Sequence, residues 1–155
     1  MPPAALALGA LLLLAGPEPV KPEPREKCPV CGMFVARYPD WVAGIRYRDG
    51  SRALFDGVKD LLKLLLRVED YGPASRRSDV ASVFVTDYYA LQQVDAGAAW
   101  YVVGSDVLGP MGHELVPFAR EEEAREFLRD HGGKRVLRFS EITAELLRAL
   151  DGGGP

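Results

Sequence analysis

The chain has 155 residues and a formal net charge of −3, with a composition ordinary for a folded globular protein. It carries no broad excess or run of basic residues, which argues against nucleic acid and anionic lipid surfaces as partners. Its two cysteines, Cys28 and Cys31, cannot form a disulfide framework, so the fold must rest on an apolar core.

Residues 1–16 are predicted to be a signal peptide or an N-terminal anchor. The stretch from Ala4 to Ala15 is apolar, long enough for the core of a secretory signal and short for a membrane span. No Lys or Arg precedes this stretch, and Pro17 stands where a lipoprotein signal carries its lipidated cysteine. We therefore expect a periplasmic or extracytoplasmic protein and leave lipidation open.

Residues 17–27 read PEPVKPEPREK and are predicted to be a linker. Alternation of proline with charged residues favours an extended, solvated spacer. Such a spacer can tether a domain at a distance from a membrane, or it can be a leader without a role. The folded domain is then predicted over residues 28–150.

The first half of that domain predicts a ββαβ unit. Its elements are, in chain order, strands at residues 41–48 and 52–55, a helix at 58–69 and a strand at 80–86. Asp49-Gly50 is a hairpin signal, because glycine accepts a positive φ without penalty. Asp56 is expected to cap the helix, and Gly72-Pro73 to end it.

The second half repeats this order. Its elements are strands at residues 98–103 and 114–118, a helix at 121–131, a strand at 136–139 and a final helix. His131 lies at a predicted helix C-terminus, where a capping role is expected, and Ser140 is expected to cap the final helix. We therefore predict an α+β fold of two tandem ββαβ units, at about residues 28–90 and 91–150, plus a C-terminal helix.

The first candidate site is the run CPVCGM, from Cys28 to Met33. A Cys-x-x-Cys pair is typical of half a zinc site, of a redox pair or of a site for a soft metal ion. A closed zinc site is disfavoured, because the chain has no third cysteine and its two histidines, His113 and His131, are far apart. A thioredoxin-like redox pair should precede a helix, and no helix is predicted nearby.

Met33 favours the soft-metal interpretation, because thiolate and thioether sulfurs are ligands that suit Cu(I). In an extended segment, Cys31 and Met33 would point the same way, with Gly32 between them. Core packing is the alternative role for Met33.

The second candidate site is the run GPMGH, from Gly109 to His113, in the predicted loop before the strand at 114–118. Met111 and His113 are again separated by a glycine, and both side chains can bind Cu(I). The two runs hold different positions in their units, so we expect one loop from each half to border a shared cleft. In the alternative, Met111 is a core residue and His113 a surface residue. Trp41 and Trp100 are expected to pack in the apolar core or at its edge.

CPVCGM followed by Phe34-Val35 resembles the CGM signature of the NosL family, the accessory lipoproteins of nitrous oxide reductase assembly. The other matching runs, which extend the resemblance to about residue 147, are Phe55-Asp56-Gly57, Val85-Thr86-Asp87-Tyr88, Val94-Asp95-Ala96, Ala99-Trp100-Tyr101-Val102, Pro110-Met111-Gly112 and His131-Gly132-Gly133. The resemblance implies a fold similar to organomercurial lyase and a periplasm-facing Cu(I) carrier that supplies nitrous oxide reductase. The family's cysteine and methionine ligands carry over onto Cys31, Met33 and Met111, and local chemistry adds His113 and Cys28.

We therefore predict a Cu(I) chaperone and not an enzyme, a monomer or weak dimer that takes copper from a donor and passes it to a copper-accepting enzyme by ligand exchange. The main alternative is a thiol–disulfide oxidoreductase that uses Cys28 and Cys31. Organomercurial cleavage and an interaction module with a structural disulfide are two further alternatives.

Overall fold

The computed structural model describes residues 18–72 and 79–154 of the chain. The predicted signal or anchor at 1–16 lies outside these residues. The elements, in chain order, are β1 Ala43–Tyr47, β2 Arg52–Phe55, α1 Val58–Leu65, β3 Val80–Thr86, β4 Gln93–Asp95, β5 Trp100–Val103, β6 Leu108–Gly109, β7 Gly112–His113, β8 Val116–Phe118, α2 Glu121–Asp130, β9 Arg135–Arg138 and α3 Ala144–Asp151. Among the helices in the described part, none combines the length and the apolar character needed to cross a membrane.

Two antiparallel sheets repeat one pattern of connections. The strand order is β2-β1-β3-β4 in the first sheet and β8-β5-β9 in the second. In each sheet, the first strand of the unit is central and pairs with the next long strand and with the strand after the helix. The α+β class is thus confirmed, with two ββαβ units and a C-terminal helix. The short edge strand β4 was not predicted, because three residues are too few to show alternation.

The β1–β2 hairpin forms where the sequence predicts it. Arg46 pairs with Arg52 across the turn, and Gly50 has a φ of +85°. A side chain on Gly44 would meet the buried rings and methyl groups of Phe84 and Leu54. The close approach of the strands therefore depends on glycine at this position.

The two units share one apolar core. Its largest cluster combines α1 residues such as Leu61 and Leu62 with Tyr101 and Leu115 of the second unit and Leu147 of α3. Each of these side chains is at most 1% exposed, and burying one such residue stabilises the fold by about 1.5–3 kcal/mol. A smaller cluster packs α2 against β5 and β8. This shared core fixes the position of α1 relative to the second unit.

Two helix ends differ from the prediction. Helix α1 ends at Leu65, four residues early, because Arg67 takes a φ of +50°, which a helix cannot contain. Gly72 therefore lies beyond the end of the helix. Ser140 lies in a 3-10 turn and does not cap α3. The N-cap of α3 is Thr143, whose hydroxyl oxygen accepts a hydrogen bond from the amide of Leu146.

Residues 18–27 lie against the first sheet. The amide of Val20 donates to Gln93 Oε1 at 2.8 Å, and its carbonyl accepts from Gln93 Nε2 at 2.7 Å. The Glu26 carboxylate accepts hydrogen bonds from Nε and Nη2 of Arg52. Part of the predicted spacer is thus docked on the domain, and the boundary at residue 28 stays a prediction.

Candidate metal centre

CPVCGM folds as a tight turn. The amide of Cys28 donates to the carbonyl of Met33, and the amide of Gly32 donates to the carbonyl of Cys28, both at 2.9 Å. Pro29 restricts φ, and Gly32 has a φ of +78°, which reverses the chain. The expected extended segment is therefore wrong, and whether the side chains of Cys31 and Met33 reach one ion stays a prediction. Met33 is half-buried, and its carbonyl closes the turn.

The turn places both thiols beside the start of α1. Cys28 Sγ lies 3.4 Å from Asp60 Oδ2, and Cys31 Sγ lies 3.2 Å from Asp56 Oδ1. One potential ligand atom from each of these four residues lies within 4.8 Å of the other three. Within residues 18–72 and 79–154, no other group of three or more His, Cys, Asp or Glu residues has such spacing. We call these four residues the cysteine–aspartate cluster.

The two aspartates were not predicted as part of the site. The N-cap of α1 is Gly57, and the Lys59 amide in the first turn donates to Glu114 and not to Asp56, so the expected capping role of Asp56 is wrong. The signal that was available is the i, i+4 spacing of Asp56 and Asp60 at a helix start, which places two carboxylates on neighbouring positions. Carboxylates as well as cysteine and histidine can complete a four-ligand site, so the small number of cysteines and histidines does not exclude one.

One oxygen of the buried Asp60 carboxyl group has no hydrogen-bond donor among the described residues. Asp60 is buried, which raises the pKa of its carboxyl group. Its Oδ1 atom has no hydrogen-bond partner in the described structure, and Lys63 Nζ lies 3.9 Å from it. A buried carboxylate oxygen without a donor is unfavourable, and a bound cation would satisfy it. Two thiols and two carboxyl groups, one of which has an oxygen without a hydrogen-bond donor in the described ranges, therefore fit a metal ion.

The environment of the thiols disfavours a nucleophilic pair. Burial raises the pKa of Cys31 to about 12, and Asp60 and Asp56 add to the effect. Burial also raises the pKa of Cys28 far above its usual range. Helix α1 does begin beside the pair, contrary to the sequence expectation, but burial and the carboxyl groups dominate. A redox pair needs a lowered thiol pKa, whereas metal binding replaces the thiol protons.

The GPMGH run forms a second turn rather than the predicted loop. Strands β6 and β7 pair with Leu108 opposite His113, and Gly112 has a φ of +82°. Met111 is at the tip and 41% exposed, which rules out the alternative that it is a core residue. His113 is half-buried, with the backbone of Gly154 beside its imidazole ring.

The first turn of α1 joins the two candidate runs. Lys59, the neighbour of Asp60, donates from its ammonium group to the carbonyl of Met111 at 2.8 Å. Its amide donates to Glu114 Oε1 at 2.7 Å. One loop from each unit therefore reaches the same end of one helix. His113 is not a member of the cysteine–aspartate cluster, and the ligand set predicted from the sequence stays a prediction.

The remaining candidates, His131 and the two tryptophans, make capping and packing contacts. His131 is the C-cap of α2, and its ring pairs with Asp106 at 2.9 Å. Trp41 packs against Tyr88 with ring centroids 5.9 Å apart. The guanidinium of Arg138 covers the ring of Trp100. Capping and packing, the roles expected for these residues, agree with these contacts.

The sequence is similar to one protein family and to a named member of it. The model of the NosL family matches residues 19–147. The copper-binding lipoprotein NosL of Stutzerimonas stutzeri is 33% identical over 139 residues, which cover 84% of this chain and 69% of the relative.

Two solved structures are similar. The copper chaperone NosL from Shewanella denitrificans has a TM-score of 0.68 and 27% identity, covering 81% of this chain and 96% of its own. The solution structure of apo-NosL from Achromobacter cycloclastes has a TM-score of 0.47 and 26% identity, covering 70% and 87%. These relatives carry the names of binding proteins and not of enzymes. The family match over most of the sequence, together with the relative that is one-third identical, shows that the chain belongs to the NosL family.

Proposed function

We propose that this protein binds Cu(I) as its cargo at the CPVCGM turn and passes it to a copper enzyme outside the cytoplasm. The observation that carries the proposal is the contact of Cys28 and Cys31 with the start of α1, to which the Met111 turn is also tied. Thiolate and thioether sulfurs are ligands that prefer Cu(I). Relatives named as a copper-binding lipoprotein and a copper chaperone support the choice of metal.

Cys31 is the central ligand in this proposal, with Met33, Met111, His113 or Cys28 completing the coordination. Cys28 is only 1% exposed, whereas Cys31 is half-buried and thus within reach of a partner protein. A transferable ion needs a ligand at the surface, because the incoming ligand must approach before the outgoing ligand leaves. Met111 is also exposed, so it can contribute to the same exchange.

The transfer is a ligand exchange in which no substrate bond is broken. Cu(I) binding displaces the proton of the Cys31 thiol, and the proton returns when the ion leaves. A sulfur or imidazole of the partner enters the coordination sphere and takes the ion. Asp56 and Asp60 favour the bound state, because they place negative charge beside the cation.

We propose nitrous oxide reductase as the recipient and a separate copper donor as the source. The name of the lipoprotein relative supports a location in the periplasm or at the extracytoplasmic face of the cell membrane. In this proposal residues 1–16 direct export or anchor the chain, and the domain acts as a monomer or weak dimer.

Anaerobic titration with Cu(I) in the presence of a competing chelator tests the proposal. We expect one ion per chain and a loss of at least about tenfold in affinity for Cys31→Ala. The control is His131→Ala, because His131 lies at the C-cap of α2 and contacts Asp106. Full Cu(I) binding by Cys31→Ala, or preference of the protein for Zn²⁺ over Cu(I) under the same conditions, would contradict the proposal.

The same proteins test the alternatives. Cys28 and Cys31 are free thiols in the structure, and their raised pKa values give no support to a thiol–disulfide oxidoreductase. An oxidoreductase would exchange disulfides without metal. An interaction module with a structural disulfide would contain no free thiol when isolated under native conditions. Organomercurial cleavage would protonate the carbon–mercury bond of an alkylmercury substrate and release a hydrocarbon and Hg(II).

A further inference from the structure

Lys59 is a charged residue inside the protein. Its side chain is 1% exposed, and its Nζ atom lies 3.2 Å from Asp151 Oδ1 at the end of α3. The same Nζ donates to the carbonyl of Met111 at 2.8 Å. A buried ammonium group requires such partners, because desolvation disfavours its charge. One cation therefore joins α1, the Met111 turn and the C-terminal helix.

The backbone of Lys59 is also bonded to the residue that follows the β6–β7 hairpin. Its amide donates to the carboxylate of Glu114, which directly follows β7 and is 4% exposed. A side chain on Gly57 would overlap that carboxylate, and a Cβ on Gly109 would lie 3.0 Å from Glu114 Cγ. The β6–β7 hairpin is thus attached to α1 twice, at its turn by the lysine side chain and at its end by Glu114.

The next residue along the helix faces the cysteines. Asp60 Oδ2 lies 3.4 Å from Cys28 Sγ. The first turn of α1 therefore determines where the Met111 turn lies relative to the CPVCGM turn. The Lys59 ammonium group donates hydrogen bonds and has no free electron pair, so it is not itself a ligand.

We infer that Lys59 is a positioning residue that holds the Met111 turn where its thioether can complete the metal site. This inference rests on the proposed function. In this inference, a buried lysine brings metal ligands from the two units together. Groups that orient metal ligands typically change metal affinity about 10- to 100-fold when they are removed.

A double-mutant cycle with Lys59→Leu and Met111→Ala tests the inference. Lys59→Leu keeps an apolar side chain, removes the charge and the donors, and adds no sulfur that could bind Cu(I). We expect each single variant to lose affinity for Cu(I) by about tenfold or more, and the double variant to bind no more weakly than Met111→Ala alone. X-ray absorption of the Cu(I) complex should show one sulfur ligand fewer in Lys59→Leu. Lys59→Arg, which keeps the charge and donors, should restore the affinity.

Lys134→Leu is the control, because Lys134 is a lysine of the second unit whose amide donates to the carbonyl of Val103. It should not lower the affinity. Additive losses in the cycle, or unchanged affinity and sulfur number in Lys59→Leu, would overturn the inference. Unchanged affinity in Met111→Ala would also overturn it, while the copper site at Cys31 would stand.

Failure of the unchanged protein to bind Cu(I) would instead overturn the proposed function. If circular dichroism shows that Lys59→Leu does not fold, Lys59→Gln replaces it in the cycle. The shorter, neutral amide side chain removes the cation and shortens the reach toward Met111. The same comparisons of Cu(I) affinity and sulfur number then test the inference.

Discussion

The Asp56 carboxylate lies 3.2 Å from the Cys31 thiol across 25 positions of sequence. This contact brings a hard oxygen donor next to a soft sulfur donor at the start of a helix. It also places negative charge where a cation would bind.

Neutralising Asp56 should weaken metal binding. In Asp56→Asn the side chain keeps its size, but the negative charge beside Cys31 is lost, so we expect Cu(I) affinity to fall about tenfold. Competition with a Cu(I) chelator measures the change. Asp106→Asn is the control, because Asp106 pairs with His131 at the end of α2. Equal affinities of both variants would show that Asp56 does not act on the metal.

The metal-free thiols should react slowly at neutral pH. The pKa of Cys31 is raised to about 12, so its reactive thiolate is scarce at pH 7 and increases tenfold with each pH unit. Alkylation rates measured from pH 7 to 10 should rise throughout this interval, and the unfolded protein should react much faster. A rate that levels off near pH 7 would indicate a stable thiolate and would favour the oxidoreductase alternative.

Replacing Met111 should affect copper binding and leave stability nearly unchanged. The side chain is exposed, so Met111→Ala creates no cavity, and the free energy of unfolding should change by less than about 0.5 kcal/mol. Cu(I) affinity should fall by about tenfold or more. The control is Leu108→Ala, because Leu108 is a more exposed residue of the same hairpin, without a sulfur. A similar loss in both variants would point to a general effect on the hairpin.

A methyl group at Gly57 should destabilise the fold. The new Cβ would overlap the buried Glu114 side chain, which accepts a hydrogen bond from the Lys59 amide. We expect Gly57→Ala to lower the free energy of unfolding by about 1–3 kcal/mol, measured by chemical denaturation. In Gly152→Ala the added Cβ would make ordinary contacts of 3.5 Å and longer, so stability should be nearly unchanged. Equal stabilities of the two variants would contradict the packing described for Glu114.

Much of the fold was predictable because its signals are local. The alternation around Asp49-Gly50 predicted the β1–β2 hairpin, and the apolar stripe predicted the start of α1 at Val58. The early end of α1 was not predictable, because the positive φ of Arg67 has no signal in residue type. The hairpin at Met111 was missed because its strands have two residues each.

The site was predictable only in part. Residue chemistry and the family resemblance indicated Cys28, Cys31 and Met111, and the structure brings their loops to one end of α1. The roles of Asp56 and Asp60 depend on contacts across the fold, which periodicity cannot reveal. A capping position was the simpler local interpretation of Asp56, and it failed because the carboxylate turns toward a thiol.

The paired hydrogen bonds between Val20 and Gln93 join the backbone at Val20 to the edge strand β4. A force on the chain that precedes Val20 would therefore act on the edge of the first sheet, and the metal turn would not bear it directly.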